Sequence, residues 1–380
     1  MTTVVKVITM IDHRNYDAYR PEYLPVRHRK KDLFSLNIRI TPEYRGKISR
    51  IRSLDGLLAD FMLSLNDYAE LVTEAHAVNV HWSTKIEGNN LSLEEVRESS
   101  RQIMESRVRI AHNPGPKQEI INHLYSYFMG KELDMPWSSS TAEVIHRMLM
   151  TGTGENCVPG SIREKEEMEV TDGKATTTFI ACPAKHVRAE LDDLMEWVNE
   201  SPYDPVATSV IFFHEYESIH PFTEGNGRTG RTLFHVLMQE LGFRRFNLCK
   251  LEDKLLADSK IYYSLLEYTD EKEDYTPLIE YFIDCIENAY EEAVVEFSKR
   301  DLIKGMDENT RRIAIKARES MDWFDVSEAS GWVAGLSEQS VRSRLASLIE
   351  KGVLEKEGQT RSTRFRFSDP FRFLKDIVRN

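Results

Sequence analysis

Apolar residues recur at threes and fours along most of this chain, the period of helices that bury one face. Leu54, Leu57, Phe61, Leu65, Tyr68 and Leu71 form such a row, and the pattern continues toward Trp82 as one helix. Gly88 and the asparagines beside it are helix stops, and a new helix is expected at Ser92, where Glu95 three residues on completes a capping box. Segments 119–128 and 142–150 are amphipathic, as is the stretch holding Leu191, Leu194, Met195 and Val198. Asp204-Pro205 opens a run over 206–216 that is apolar nearly all round, which predicts a buried helix. Beyond it Leu233, Val236, Leu237 and Leu241 keep helical spacing until Gly242 stops them. A further helix covers 278–297. One stretch breaks the helical period. Residues 168–171 and 175–180 alternate like strands around Asp172-Gly173, a tight-turn pair, and predict a β-hairpin. The fold class is therefore mainly α, with a small hairpin.

The two ends differ from this middle. Residues 4–11 read as a short strand interrupted by Lys6, and 12–50 are polar, with Tyr19 to Pro25 an extended connector. Residues 301–310 are charged, include Gly305, and read as a linker. After it, 323–332 predicts a first helix, and 336–345, with Ser337 as N-cap, a turn and second helix. Lys351-Gly352 is a stop before the alternating strand 361–367. That order is the pattern of a winged helix. The expected organisation is an N-terminal region over 1–115, a helical core over 116–300 and a winged-helix domain over 301–380.

Charge sharpens the division. The whole chain of 380 residues carries −12, which argues against broad binding to nucleic acid or anionic membrane. Residues 311–380 hold 14 Lys/Arg against 10 Asp/Glu, whereas the rest holds 36 against 52. Arg342, Arg344, Arg361, Arg364 and Arg366 therefore permit a DNA partner there, and a protein partner or homodimer stays open. The four cysteines form no CxxC pair, which suggests reduced thiols. No stretch has the length of a membrane span or the shape of a signal peptide, so a cytoplasmic location and no membrane partner are expected.

The chemistry concentrates in one loop, from His220-Pro221-Phe222-Thr223-Glu224-Gly225 to Asn226-Gly227-Arg228-Thr229-Gly230-Arg231. It ends at a helix N-terminus, where free N–H groups and the dipole favour an anion. Gly225 and Gly227 let backbone approach a phosphate. Arg228 and Arg231, three apart, share a helix face and can clamp further phosphate oxygens. His220 is placed to take a proton, and Glu224 to meet a divalent cation. His123 and His146 have no ligand partner at useful spacing and read as core or surface histidines.

This loop resembles the signature of the Fic family of nucleotidyl transferases, matching all nine of its specified positions. The resemblance implies transfer of AMP from ATP to a Ser, Thr or Tyr hydroxyl of a target protein, with pyrophosphate released. It implies His220 as general base, Asn226 and the N–H groups of Gly225 and Gly227 at the α-phosphate, Arg228 at the β-phosphate and Arg231 at the γ-phosphate. Thr223 lies within the nucleotide loop, and Glu224 would hold Mg²⁺. Ser83, Glu87 and Gly88 are similar to the family's inhibitory motif, in which the glutamate pairs with the second signature arginine, here Arg231. Pro159 to Arg163 is similar to the family's Gly-x-x-Arg segment. The hairpin near 161–182 corresponds to the flap that docks the target, and Tyr262 and Tyr263 to the aromatic segment beside the base. The alternatives are removal of AMP by the same site, with Glu87 orienting a water, and a DNA-binding regulator whose core senses nucleotide.

Overall fold

A computed structural model describes residues 38–106, 114–129, 133–164, 169–171, 177–272, 274–320, 322–359 and 363–368. Backbone contacts divide the chain into two units, Met1–Arg52 with Ala75–Tyr290, and Ser53–Glu74 with Glu291–Asn380. The sequence reading sets its boundaries at 115 and 300 instead. Residues 75–106 group with the core, and 53–74 with the C-terminal region. The expected strand at 4–11 and connector at 19–25 lie outside the described residues.

The first unit is built on helices. α1 spans Pro42–Asp60, α2 Leu65–Lys85, α3 Leu93–Ser106, α4 Pro116–Met129 and α5 Ser139–Met150. α6 is Ala184–Glu200, α7 Pro205–Ile219 and α8 Asn226–Glu240, followed by α9 Glu252–Leu256, α10 Ser259–Lys272 and α11 Thr276–Lys299. α1, α2 and α11 each have one end counted in the second unit. The single helix expected from 51 toward 82 is two, because the chain leaves helix after Asp60. Ser64 restarts it by accepting the N–H of Asp67 at 3.1 Å. The apolar spacing runs across this break and hides it.

α7 is the centre of the unit. Asp204 caps it by accepting the N–H groups of Val206 and Ala207, and Pro205 stands where no N–H partner is needed. All its residues from Val206 to Tyr216 are buried. Phe212, Tyr216 and Ile219 join Leu149, Leu194 and Leu233 in one core. Each large side chain so buried contributes about 1.5–3 kcal/mol. This packing fixes where α7 ends, and its last turn delivers His220. Gly242, with φ 109°, ends the return stretch after α8.

β1 (Glu169–Thr171) and β2 (Thr177–Ile180) form an antiparallel pair, Glu169 opposite Ile180 and Val170 opposite Phe179. The hairpin is therefore present. Met168 and 172–176, which include the expected turn, lie outside the described residues.

In the second unit, α12 (Glu308–Ser320), α13 (Val326–Trp332) and α14 (Glu338–Glu350) precede a hairpin of β3 (Leu354–Glu357) and β4 (Arg364–Phe367). α12 begins inside the stretch read as a linker, with Asp307 accepting the N–H groups of Asn309 and Thr310. Asp325 and Glu328 form a capping box for α13, and Ser337 caps α14. Ile313, Ala317, Phe324, Val341, Leu345 and Phe365 make its core. Arg342 pairs with Glu338, Arg344 with Asp307, and Arg366 with Glu355 while lying 4.2 Å over the Trp323 ring. Arg361 lies outside the described residues. No helix among the described residues is long and apolar enough to cross a membrane.

Candidate active site

The site is assembled where α7 hands over to α8. His220 takes a left-handed conformation, φ 49°, while its N–H still bonds the Tyr216 carbonyl at 3.0 Å. For a residue with a Cβ that conformation is rare, and here it turns the chain sharply off the buried helix. Arg163 holds the turn. Its Nε donates to the His220 carbonyl at 2.7 Å, and its own N–H to the Pro221 carbonyl at 3.0 Å. Phe222 and Asn226 then close the loop on itself. The Phe222 N–H donates to Asn226 Oδ1 at 2.8 Å, and Asn226 Nδ2 to the Phe222 carbonyl at 2.7 Å. Gly225 precedes α8 at φ 78°, with Met150 Sδ packed where a Cβ would stand. The first-turn N–H groups of α8 have no intrahelical acceptor and face the loop as donors.

His146 of α5 locks the middle of the loop. Gly160 donates its N–H to Nδ1 at 2.8 Å, so Nε2 carries the hydrogen and donates to the Glu224 carbonyl at 2.9 Å. Burial holds this imidazole down to about 4, so it is neutral as that pattern requires. The Glu224 side chain is exposed and makes no ion pair among the described residues. Burial and the charge of Glu155 raise its carboxyl.

The two signature arginines are buried and both are held by carboxylates. Arg231 donates from Nε to Ser83 Oγ at 2.7 Å, and from Nη2 to the Ser83 carbonyl at 2.8 Å and Glu87 Oε1 at 2.7 Å. Ser83 and Glu87, at the end of α2, thus meet the third residue beyond Arg228. Gly227 makes the approach possible, since a Cβ there would run into the Glu87 carboxylate. Burial pushes the Glu87 carboxyl up, but Arg231, with Arg228 behind it, more than offsets this and holds it below its usual range. Arg228 forms a two-pronged pair with Glu155, Nη1 to Oε1 and Nη2 to Oε2, both at 2.7 Å. Its Nη1 also reaches Glu119 Oε1 at 2.6 Å.

His220 Nδ1 lies 3.3 Å from the Glu217 carbonyl. Burial first, and then Arg163, lower the imidazole to about 4. Glu217 itself is raised to about 7 by burial and by the nearby Glu87 charge, against the pull of Arg231. Its Oε1 is buried with no partner among the described residues. Tyr262 is buried and Tyr263 is 41% exposed, their rings 5.3 Å apart. The Tyr262 ring lies 6.4 Å from that of Phe213 on α7. Thr223 is half-buried on the loop, and Gly88 turns out of α2 at φ 97°. His123 bonds Thr232 at 3.2 Å inside the core. Among the described residues no three His, Cys, Asp or Glu side chains gather as a metal site.

Residues 136–238 match the Fic/DOC family. The chain contains a Fic domain. The protein adenylyltransferase fic-1 of Caenorhabditis elegans is 27% identical over 236 residues, 60% of this chain and 43% of that protein. A probable protein adenylyltransferase of Aquifex aeolicus is 44% identical over 106 residues, 26% of this chain and 32% of that one. The chain thus spans less than half the length of these curated relatives. A crystal structure of a Fic family protein from Desulfovibrio desulfuricans has a TM-score of 0.59 at 21% identity, covering 88% of this chain and 98% of that one. That is a likeness of fold.

Ser83, Glu87 and Glu119, which hold the arginines, lie outside the matched stretch that carries the Fic signature. Glu119, Glu155 and Glu217 carry no sequence signal of their own, and His146 was expected only to fill core or surface. The one pattern that bears on them is charge. Two buried arginines three apart require carboxylates nearby, though not any particular ones.

Proposed function

We propose that this chain is a self-inhibited protein adenylyltransferase that moves AMP from ATP to a Ser, Thr or Tyr hydroxyl of a target protein, and of itself. The observation that carries the reading is the convergence of His220, the N-terminus of α8, Arg228 and Arg231 on one loop closed by Asn226. The adenylyltransferase names of the Caenorhabditis and Aquifex relatives support it.

The imidazole of His220 is neutral at physiological pH. With Nδ1–H donating to the Glu217 carbonyl, the Nε2 lone pair takes the proton of the incoming hydroxyl. The hydroxyl oxygen bonds to the α-phosphorus, the bond to the β-phosphate oxygen breaks, and pyrophosphate departs. N–H groups of the α8 first turn stabilise the added charge on the α-phosphate oxygens. Arg228 grips the β-phosphate and Arg231 the γ-phosphate, which hold ATP in line for attack. Glu224 fits a Mg²⁺ site of one carboxylate completed by phosphate oxygens, because its carboxylate is exposed and has no ion pair among the described residues. Bound there, Mg²⁺ would neutralise phosphate charge.

Glu87 gives the self-inhibition. Arg231 spends Nε and Nη2 on Ser83 and Glu87, so a γ-phosphate must displace that carboxylate before ATP can sit in the reacting pose. The β1–β2 pair supplies an edge to which a target strand adds. The second unit, three helices followed by a hairpin, is read as a winged helix. Its paired arginines favour a protein partner over DNA, since Arg342, Arg344 and Arg366 already have carboxylates.

The test uses purified wild type, Glu87→Gly and Glu87→Gly/His220→Ala with labelled ATP and Mg²⁺, reading covalent AMP on the protein and in a lysate. Strong labelling by Glu87→Gly alone, lost in the double variant, is expected. No labelling by a folded Glu87→Gly that binds ATP rejects the reading.

A further inference from the structure

The second arginine of the signature is not the only one occupied. From the geometry around Arg228 we infer that Glu155 is a second inhibitory carboxylate, standing in the position that the β-phosphate takes. This rests on the reading of Arg228 as a phosphate grip.

A guanidinium has five N–H groups, and its forked edge binds a carboxylate or a phosphate in the same two-pronged way. Glu155 fills that fork on Nη1 and Nη2, and Glu119 takes the second hydrogen of Nη1. Nε is buried and has no partner among the described residues. With the remaining Nη2 hydrogen it forms the side edge of the guanidinium, which the burial of Nε closes to an incoming phosphate. For Arg228 to bind the β-phosphate through its fork, Glu155 must leave.

The two carboxylates differ in how they are held. Glu119 stands on α4, and its Oε2 accepts from Asn89 Nδ2 at 2.6 Å. Asn89 also donates to the Pro116 carbonyl at 3.1 Å, so this side of the clamp is fixed. Glu155 stands on the connection after α5, and its side chain is 29% exposed. Gly152 and Gly154, just before it, both hold positive φ, 75° and 85°. Glu155 is therefore the side able to leave. Asn89 follows the Ser83–Glu87 segment directly, so the holders of both arginines are joined through Glu119.

Charge points the same way. Glu87, Glu119, Glu155 and Glu224 surround two guanidinium groups. A triphosphate entering with all four ionised meets net repulsion, and the departure of one carboxylate from each arginine relieves it. Glu87 does so for Arg231 and Glu155 for Arg228.

The experiment measures affinity of the full chain for ATP and for AMP, with Mg²⁺, by calorimetry. It compares wild type, Glu87→Gly, Glu155→Gln and Glu87→Gly/Glu155→Gln. Adding Glu155→Gln to Glu87→Gly should tighten ATP about tenfold, the scale of one hydrogen bond to a charged group. AMP, which has no β-phosphate, should bind as before. Unchanged or weaker ATP binding overturns the inference, since Glu155 then positions Arg228 rather than blocking it. Equal tightening of AMP also overturns it, because that is a general charge effect. Glu155→Ala is the second variant should the glutamine form fold poorly. Binding does not require transfer, so the two readings fail separately. Tighter ATP with no AMP transfer by Glu87→Gly sinks the transfer reading alone, and strong transfer with weakened ATP binding sinks the second clamp alone.

Discussion

The ring of His146 lies flat on that of Phe222, centroids 3.8 Å apart and planes 2° from parallel. The same imidazole accepts the Gly160 N–H and donates to the Glu224 carbonyl. One side chain therefore ties α5, the segment after it and the signature loop together. His146→Phe keeps the stacking and loses both hydrogen bonds. Each buried group left unpaired costs about 1–3 kcal/mol. The expected outcome is a lower Tm and, in a Glu87→Gly background, slower AMP transfer at saturating ATP. An unchanged Tm in thermal unfolding counts against the role.

Ser83 contributes two bonds to Arg231, one from its hydroxyl and one from its carbonyl. Ser83→Ala removes only the first. Arg231 then keeps Glu87 and the carbonyl, so release is partial. Labelling with ATP should rise above wild type but stay well below Glu87→Gly. The lost bond to a charged donor is worth about 1.5–3 kcal/mol. A gain equal to that of Glu87→Gly would show the hydroxyl, not the carboxylate, to be the latch.

How far these features were legible depends on how local they are. The mainly α fold and the hairpin follow from period and turn chemistry, and both are present. The signature loop is twelve consecutive residues, so its elements can be read in one place. The break at 61–64 was missed because Leu54, Phe61 and Leu65 keep helical spacing across it, and only Ser64 with Asp67 marks the restart. α12 was missed because charged residues on its outer face resemble a linker. Glu119 and Glu155 reach Arg228 across 109 and 73 positions of chain, and no local pattern encodes such a meeting. His146 is an ordinary histidine on an amphipathic helix until Gly160 and Glu224 are brought to its two nitrogens.

The pH dependence of transfer follows from His220. Burial holds its imidazole down at about 4, so the base form is already present well below the usual histidine range. In Glu87→Gly the loss of a nearby negative charge lowers it further. Transfer by that variant should therefore show no loss between pH 7 and pH 6 attributable to the base. A kcat/KM profile falling with an apparent pKa near 6.5 contradicts this environment for His220.

Glu217 gives a stability test with a definite sign. Its carboxyl is raised from 4.5 to about 7, burial being the main cause. The folded protein thus binds this proton more tightly than the unfolded chain does. Stability from that proton is present below about pH 4.5 and is lost as pH rises through about 7. Above that, an ionised carboxylate sits with a buried oxygen that lacks a hydrogen-bond partner. Glu217→Gln keeps the shape and removes the titration. Relative to wild type it should gain stability at pH 8, on the order of 1–3 kcal/mol for a buried unpaired polar group, and gain little at pH 5. Thermal unfolding of both proteins across pH 5–8 measures this. A difference that stays constant with pH would mean that Glu217 is ionised throughout, held by Arg231 as a second carboxylate beside Glu87.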